Sequence, residues 1–218
     1  MIKKITIAFI LIVATITIAI AQKKINEGIV TYMVTYDLSA DQQQNAGRLP
    51  SEIICYFRAD STAAIASQDG ATVKGVSVFK TNYHSLIIDL PALSKKLIVV
   101  MTADEVEQEK ASLPKFNYEK GTEKKIINGF NCTRGTLTDS KAGSSYEIWL
   151  TNDIDIPLTS VSRIAGGLNG VPIRFVTFNN GYKINAVVKE VKEQPVPKGF
   201  FTAPKNYVAI SYSELKSM

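Results

Sequence analysis

Two runs of β-forming residues, IRFVTF at 173–178 and YKINAVVKEV at 182–191, are joined by Asn179-Asn180-Gly181. Asn and Gly accept the positive φ angles of a tight turn whose twist matches that of paired strands. The stretch therefore predicts an antiparallel hairpin. The same period of two appears near the start, in EGIVTYMVTYDL. There Val30, Tyr32, Val34 and Tyr36 alternate with Ile29, Thr31, Met33 and Thr35, and both sets suit a pleated backbone. Further strands are predicted at 51–58, 72–79, 84–90, 96–101, 132–137 and 146–151, with a last short one at 206–212. The Asp, Ser and Gly residues of DSKAGSS (139–145) predict a turn between two of them. The polar run 41–50 reads as a connection, and KGTEKK at 120–125 as a solvated turn.

Helical signals are few. Residues 103–112 (ADEVEQEKAS) carry good helix formers behind Thr102 as N-cap, with a thin apolar face, and predict a short surface helix. In 158–168, Leu158, Val161, Ile164, Ala165 and Leu168 form one apolar stripe ended by Gly166-Gly167, which predicts a helix packed on the sheet. The expected class is mainly β (α+β): a curved antiparallel sheet or half-barrel with one packed helix and a short surface helix. Some strands are apolar on both faces. Tyr146, Ile148 and Leu150 share one face and Trp149 takes the other; Ile173 and Phe175 oppose Val176 and Phe178. Such strands are covered on both sides or line a pocket.

The first 21 residues have the layout of a secretory signal peptide: Lys3 and Lys4, an uncharged apolar run, and Ala19-Ile20-Ala21 before Gln22. No cysteine stands at the cleavage point, so a lipoprotein is not expected. Residues 22–218 then form a single β-rich domain, exported to the periplasm or beyond, with no membrane span after cleavage. Without Lys3 and Lys4 the formal net charge falls from +5 to +3. That mild balance excludes the clustered basic surface of a nucleic-acid binder.

No residue constellation specifies a reaction. His84 is the only histidine, and no nucleophile elbow accompanies it. One His and two distant Cys do not make a zinc site. Asp153 and Asp155 lack the further oxygen ligands of a calcium loop. The glycines at 166, 167 and 170 follow a predicted helix and precede a strand, the reverse of a phosphate-binding turn. No catalytic residue, metal or cofactor is expected. The two cysteines leave two readings open. An oxidising compartment favours a Cys55–Cys132 disulfide. Each also sits in an apolar strand where a free thiol packs as a small hydrophobe.

Three segments carry a family resemblance: KIINGFNC, then EIWLTNDIDIP, then GGLNGVPIRF. In that order they resemble small exported bacterial proteins of the cell envelope, grouped as a domain of unknown function. The opening EGIVTYMVTY and the closing VPKGFFTAPKNY also fit. The order is similar to the GLPGLI family as well. Gly167-Leu168-Asn169-Gly170-Val171 stands where that family has its name-giving run, and Asn169 and Val171 depart from it. The resemblance implies a fold similar to the lipoprotein-carrier proteins of the periplasm, an incomplete barrel with a helical plug and an acyl-binding concavity. With the two-faced strands it implies a non-enzymatic binding module for a lipid or lipidated protein. Met33, Phe57, Trp149, Ile164 and Phe175 are the candidate lining residues. The alternative is a structural module with a filled core that meets an envelope protein partner.

Overall fold

The computed structural model describes residues 24–157, 164–179 and 181–218. The signal-peptide reading and the first six residues of the predicted packed helix lie outside these. The strands are β1 (Glu27–Asp37), β2 (Glu52–Arg58), β3 (Ser61–Gln68), β4 (Ala71–Val78), β5 (Tyr83–Leu90) and β6 (Lys95–Met101), then β7 (Phe116–Ile127), β8 (Phe130–Asp139), β9 (Ser145–Thr151), β10 (Val171–Asn179), β11 (Tyr182–Glu193) and β12 (Val208–Ala209). Helix α1 (Ala103–Ser112) precedes β7 and α2 (Tyr212–Ser217) closes the chain. All twelve strands join one open sheet in the order β12-β6-β5-β4-β3-β2-β1-β11-β10-β9-β8-β7. Neighbouring strands run antiparallel except β12, which pairs parallel with β6. The fold class expected from the alternation is the one observed.

Local chemistry explains most of these elements. The turn after Asn179 closes the β10–β11 hairpin, with Asn179 opposite Tyr182 and Gly181 at φ 78°. Asp139 nucleates the β8–β9 turn by accepting from the backbone N–H of Lys141 and Ala142 at 2.7 and 2.8 Å. Thr102 caps α1 reciprocally with Glu105, and the helix buries no residue, so it is the surface helix expected.

Other stretches differ from the sequence reading. KGTEKK is not a turn: it lies within β7, whose register against β8 shifts between Lys120 and Lys124. This bulge absorbs the residues that made the run look like a loop, and a Cβ on Gly121 would stand 2.8 Å from the Arg134 carbonyl oxygen. The last predicted strand is only two residues long, and α2 takes over where it was expected to continue. The described end of the predicted packed helix, 164–168, is turn and a single parallel bridge between Ala165 and Phe116. Ile164 and Ala165 nonetheless pack as their spacing implies, at 4% and 2% exposure.

The register fixes two faces, because residues directly opposite in an antiparallel pair point the same way. The inner face carries Val30, Tyr32 and Val34 of β1, Phe57 of β2, and Ile148, Phe175, Ile184, Ala186 and Val188 of β9 to β11. All are buried, and they pack with Ile154, Ile156, Ile164 and Ala165 from the segment after β9. The outer face is covered over β2 to β6 only. There the C-terminal segment lays Val196 and Phe201 on Ala63, Val76, Ile87 and Ile98. Arg58 donates to the Val196 carbonyl at 3.2 Å and Lys74 to that of Phe200 at 2.6 Å, fastening the segment down. The outer face of β1 and β8 to β11 is left without that cover.

Candidate functional site

On this uncovered face the β9–β10 ladder is incomplete. Its rungs are Val171–Thr151, Pro172–Leu150 and Arg174–Trp149, with an extra residue, Ile173, between the last two. Pro172 has no N–H to give, which suits it to such an irregularity; its carbonyl accepts from the buried Tyr32 hydroxyl at 3.3 Å. Beyond Arg174–Trp149 no rung joins the strands. β9 stays paired to β8 as far as Ser145, and β10 to β11 as far as Asn179. The mouth of this split is filled by three rings: Phe116 stacks on Phe178 at 5.5 Å, and Tyr146 stands edge-on to both at 5.9 Å.

Over the split lies a shallow depression of about 500 Å3. Its apolar floor includes Met33, Val176 and Val187, and Ser145, Glu147, Arg174, Lys183 and Asn185 rim it. Met33, Val187, Arg174 and Trp149 form one cross-strand row, continued by Arg134. Met33 is 49% exposed, unusual for a large apolar side chain in mid-strand. Most rim charges are paired. Arg134 bridges Glu147 at 2.8 Å and Glu123 at 3.2 Å, and Lys183 bridges Asp37 at 2.7 Å. The Lys183 ammonium holds the Asp37 carboxyl below the usual carboxylate range. Among the described residues no carboxylate pairs with Arg174, which is exposed.

The structure distributes the five candidate lining residues instead of gathering them round one cavity. Phe57, Ile164 and Phe175 are inner-face core at 0%, 4% and 5% exposure; Phe175 meets the Tyr32 ring edge-on at 5.6 Å and also borders the depression. Met33 lies on the outer face in the depression. Trp149 shares a cross-strand row with Met33 but does not line the depression: it is buried in the larger core cluster and donates to Glu147 at 2.6 Å. Arg174, Glu147, Val176, Asn185 and Val187 were not anticipated. Alternation places Arg174 with Val176 on one side of β10, but only the register shows that this side is open.

The two cysteines are free, and β1, β11, β10 and β9 stand between their strands. Five interstrand steps measure about 24 Å along the sheet, against the roughly 7 Å Cα separation that a disulfide tolerates. Burial pushes the Cys55 thiol up to about 12, and raises that of Cys132, where the Asp153 charge adds to the effect. Protonated thiols are poor nucleophiles. His84 lies on β5, remote from the depression, with Nδ1 3.0 Å from the Ser77 hydroxyl. Among the described residues no group of three or more His, Cys, Asp or Glu is placed to hold a metal ion, and no helix is long and apolar enough to cross a membrane. Asp153 and Asp155 fasten the N-terminal end of the domain: the Asp153 carbonyl accepts from the N–H of Ile25, and Asp155 N–H donates to the Ile25 carbonyl.

Together the layers define an open, largely antiparallel β-sheet protein with two cores on opposite faces. No family model and no curated protein matches the chain, so the motif resemblances to the two envelope families find no support there. Among solved structures it is similar to one titled as PNGF-II in the C2 space group, with a TM-score of 0.52 and 15% identity over 88% of this chain and 32% of that one. This chain thus spans about a third of the PNGF-II chain, and the likeness is one of fold alone. A second similar structure is LprF from Mycobacterium bovis, with a TM-score of 0.30 and 12% identity over 81% of this chain and 90% of that one.

Proposed function

We propose that the chain is a non-enzymatic binding module, exported to the cell envelope, that engages its ligand through the outer depression at the β9–β10 split. The observation carrying this reading is the half-exposed Met33 on an apolar floor, in the one half of the outer face that the C-terminal segment leaves uncovered. The inner face is the weaker candidate, because Tyr32, Phe57, Ile148 and Phe175 fill it with one another. A protein partner is the first reading; an apolar lipid or lipidated segment is the second, favoured by Met33, Val176 and Val187. Met33→Asp tests the site. It places a charge on the floor while leaving both cores intact, and it should abolish recovery of a bound partner from envelope extracts or of a lipid by native mass spectrometry. Unchanged recovery of either would place the binding surface elsewhere.

A further inference from the structure

We infer that Asn169 is a site of spontaneous deamidation, and that its isoaspartate product loosens the joint between β9 and β10. This holds wherever the ligand of the domain binds.

The chain has Asn-Gly pairs at Asn128-Gly129, Asn169-Gly170 and Asn180-Gly181, of which Asn180 lies outside the described residues. At such a pair the glycine backbone nitrogen loses its proton and attacks the asparagine Cγ. The bond from Cγ to the side-chain nitrogen breaks, ammonia leaves, and a five-membered succinimide closes. Water then opens one of the two ring carbonyls, giving aspartate or isoaspartate. Glycine favours the closure because it has no Cβ to obstruct the approach and tolerates a wide range of φ. The folded structure decides which pair reacts. Asn128 and Gly129, at φ 50° and 84°, are the two loop residues of the β7–β8 hairpin, closed by Ile127 opposite Phe130. The Asn128 side-chain amide also donates to the Val188 carbonyl. Ring closure there has to break that bond and distort the turn. Asn169 is exposed, in the irregular run between the Ala165 bridge and β10. Among the described residues no hydrogen bond holds its side-chain amide or the Gly170 N–H. The attacking nitrogen and the leaving group are thus both unencumbered.

The product acts at Gly170. A Cβ there would stand 2.6 Å from the Thr151 carbonyl oxygen, so the chain passes β9 with no slack. The next residue, Val171, pairs with Thr151 and opens the β9–β10 ladder, whose rungs are Val171–Thr151, Pro172–Leu150 and Arg174–Trp149. Every other antiparallel ladder among the described residues is longer. Isoaspartate routes the main chain through its own side-chain carbons and lengthens it by one atom immediately before this contact. The added length displaces Gly170 and strains the first rung of the shortest antiparallel joint in the sheet.

The test is peptide mapping by mass spectrometry of the purified protein aged at mildly alkaline pH, beside a sample aged unfolded in guanidinium chloride. Trypsin separates the two sites into peptides 164–174 and 126–134, and fragmentation places the mass gained on exchanging NH2 for OH. In the folded protein conversion at Asn169 is expected to be at least roughly tenfold faster than at Asn128, since about 1.4 kcal/mol added to a barrier slows a step tenfold. In the unfolded sample the two should convert at similar rates. The aged folded protein should unfold at lower urea than fresh protein. Asn169→Gln, whose longer side chain cannot close the five-membered ring, should match fresh wild type before and after ageing. Equal or faster conversion at Asn128 in the folded protein, or an Asn169 that converts only when unfolded, overturns the site. Conversion to isoaspartate at Asn169 with an unchanged urea midpoint overturns its effect on the joint, as does an Asn169→Gln midpoint that falls on ageing as far as that of wild type.

Discussion

Phe57→Ala separates a filled inner face from a ligand cavity. Phe57 is 0% exposed and among the largest fully buried side chains. It packs in the cluster that includes Val30, Tyr32 and Phe175. Truncating such a ring loses its transfer free energy and leaves a void, together about 3–5 kcal/mol. A domain of this size has a urea dependence of about 2–3 kcal/mol per molar, so a loss of about 4 kcal/mol lowers the midpoint by roughly 1.3–2 M. Equilibrium urea denaturation followed by Trp149 fluorescence reads the shift directly. Met33→Ala is the internal comparison: the side chain is half exposed, and its loss should cost about 0.5 kcal/mol or less. A Phe57→Ala shift below about 0.5 M, or one no larger than that of Met33→Ala, would refute the filled face. The ring would then border open space.

Gly170→Ala should destabilise by about 1–3 kcal/mol in the same assay, because Gly170 has φ 123° and its added Cβ would lie 2.6 Å from the Thr151 carbonyl oxygen. Thiol titration of the unfolded, unreduced domain should count two; in the native state Cys55 should label slowly at pH 8, since a pKa of about 12 leaves about one thiolate in 10,000. Ser85 is 2% exposed and its hydroxyl has no hydrogen-bond partner among the described residues, so Ser85→Ala should be neutral or stabilise by about 1 kcal/mol. The Asp139 carboxyl is lowered by the N–H groups of Ala142 and Lys141. A group with a depressed folded-state pKa contributes stability above its unfolded value of about 4, and that contribution is lost as pH falls through the folded value. The wild-type urea midpoint should therefore fall below about pH 4, and Asp139→Asn should flatten that limb.

The fold was legible where side-chain chemistry acts over a few residues. The hairpin after Asn179 and the N-cap at Thr102 are local devices, and both formed as read; the reciprocal bond from Glu105 was not anticipated. β3 escaped notice because STAAIASQ is alanine-rich and weakly β-forming; it is a strand because β2 and β4 pair with it on either side. β7 escaped because charges and Gly121 mimic a turn, whereas an edge strand carries charge and a bulge at little cost. α2 was missed although Ser211 and Glu214 spell a capping box. The site was the least legible. Alternation groups residues by face within a strand, but nothing local tells which face the C-terminal segment will cover. Met33 and Phe57 therefore looked equivalent, and they belong to opposite sides of the sheet.

The placement of β1 has a kinetic consequence. It sits in the middle of the sheet, and one of its two neighbours is β11, with Gly28 opposite Glu193. Bringing those ends together closes a loop of roughly 150 residues or more, at an entropic cost of about 4 kcal/mol before any contact is made. The sheet's centre can therefore assemble only after nearly the whole chain is available. Until then Val30, Tyr32 and Val34 have β2 beside them on one edge and an open edge on the other. Folding should accordingly be slow for a domain of this length, in the millisecond-to-second range typical of non-local β topologies. A nascent chain would be held back from premature closure by its own strand order.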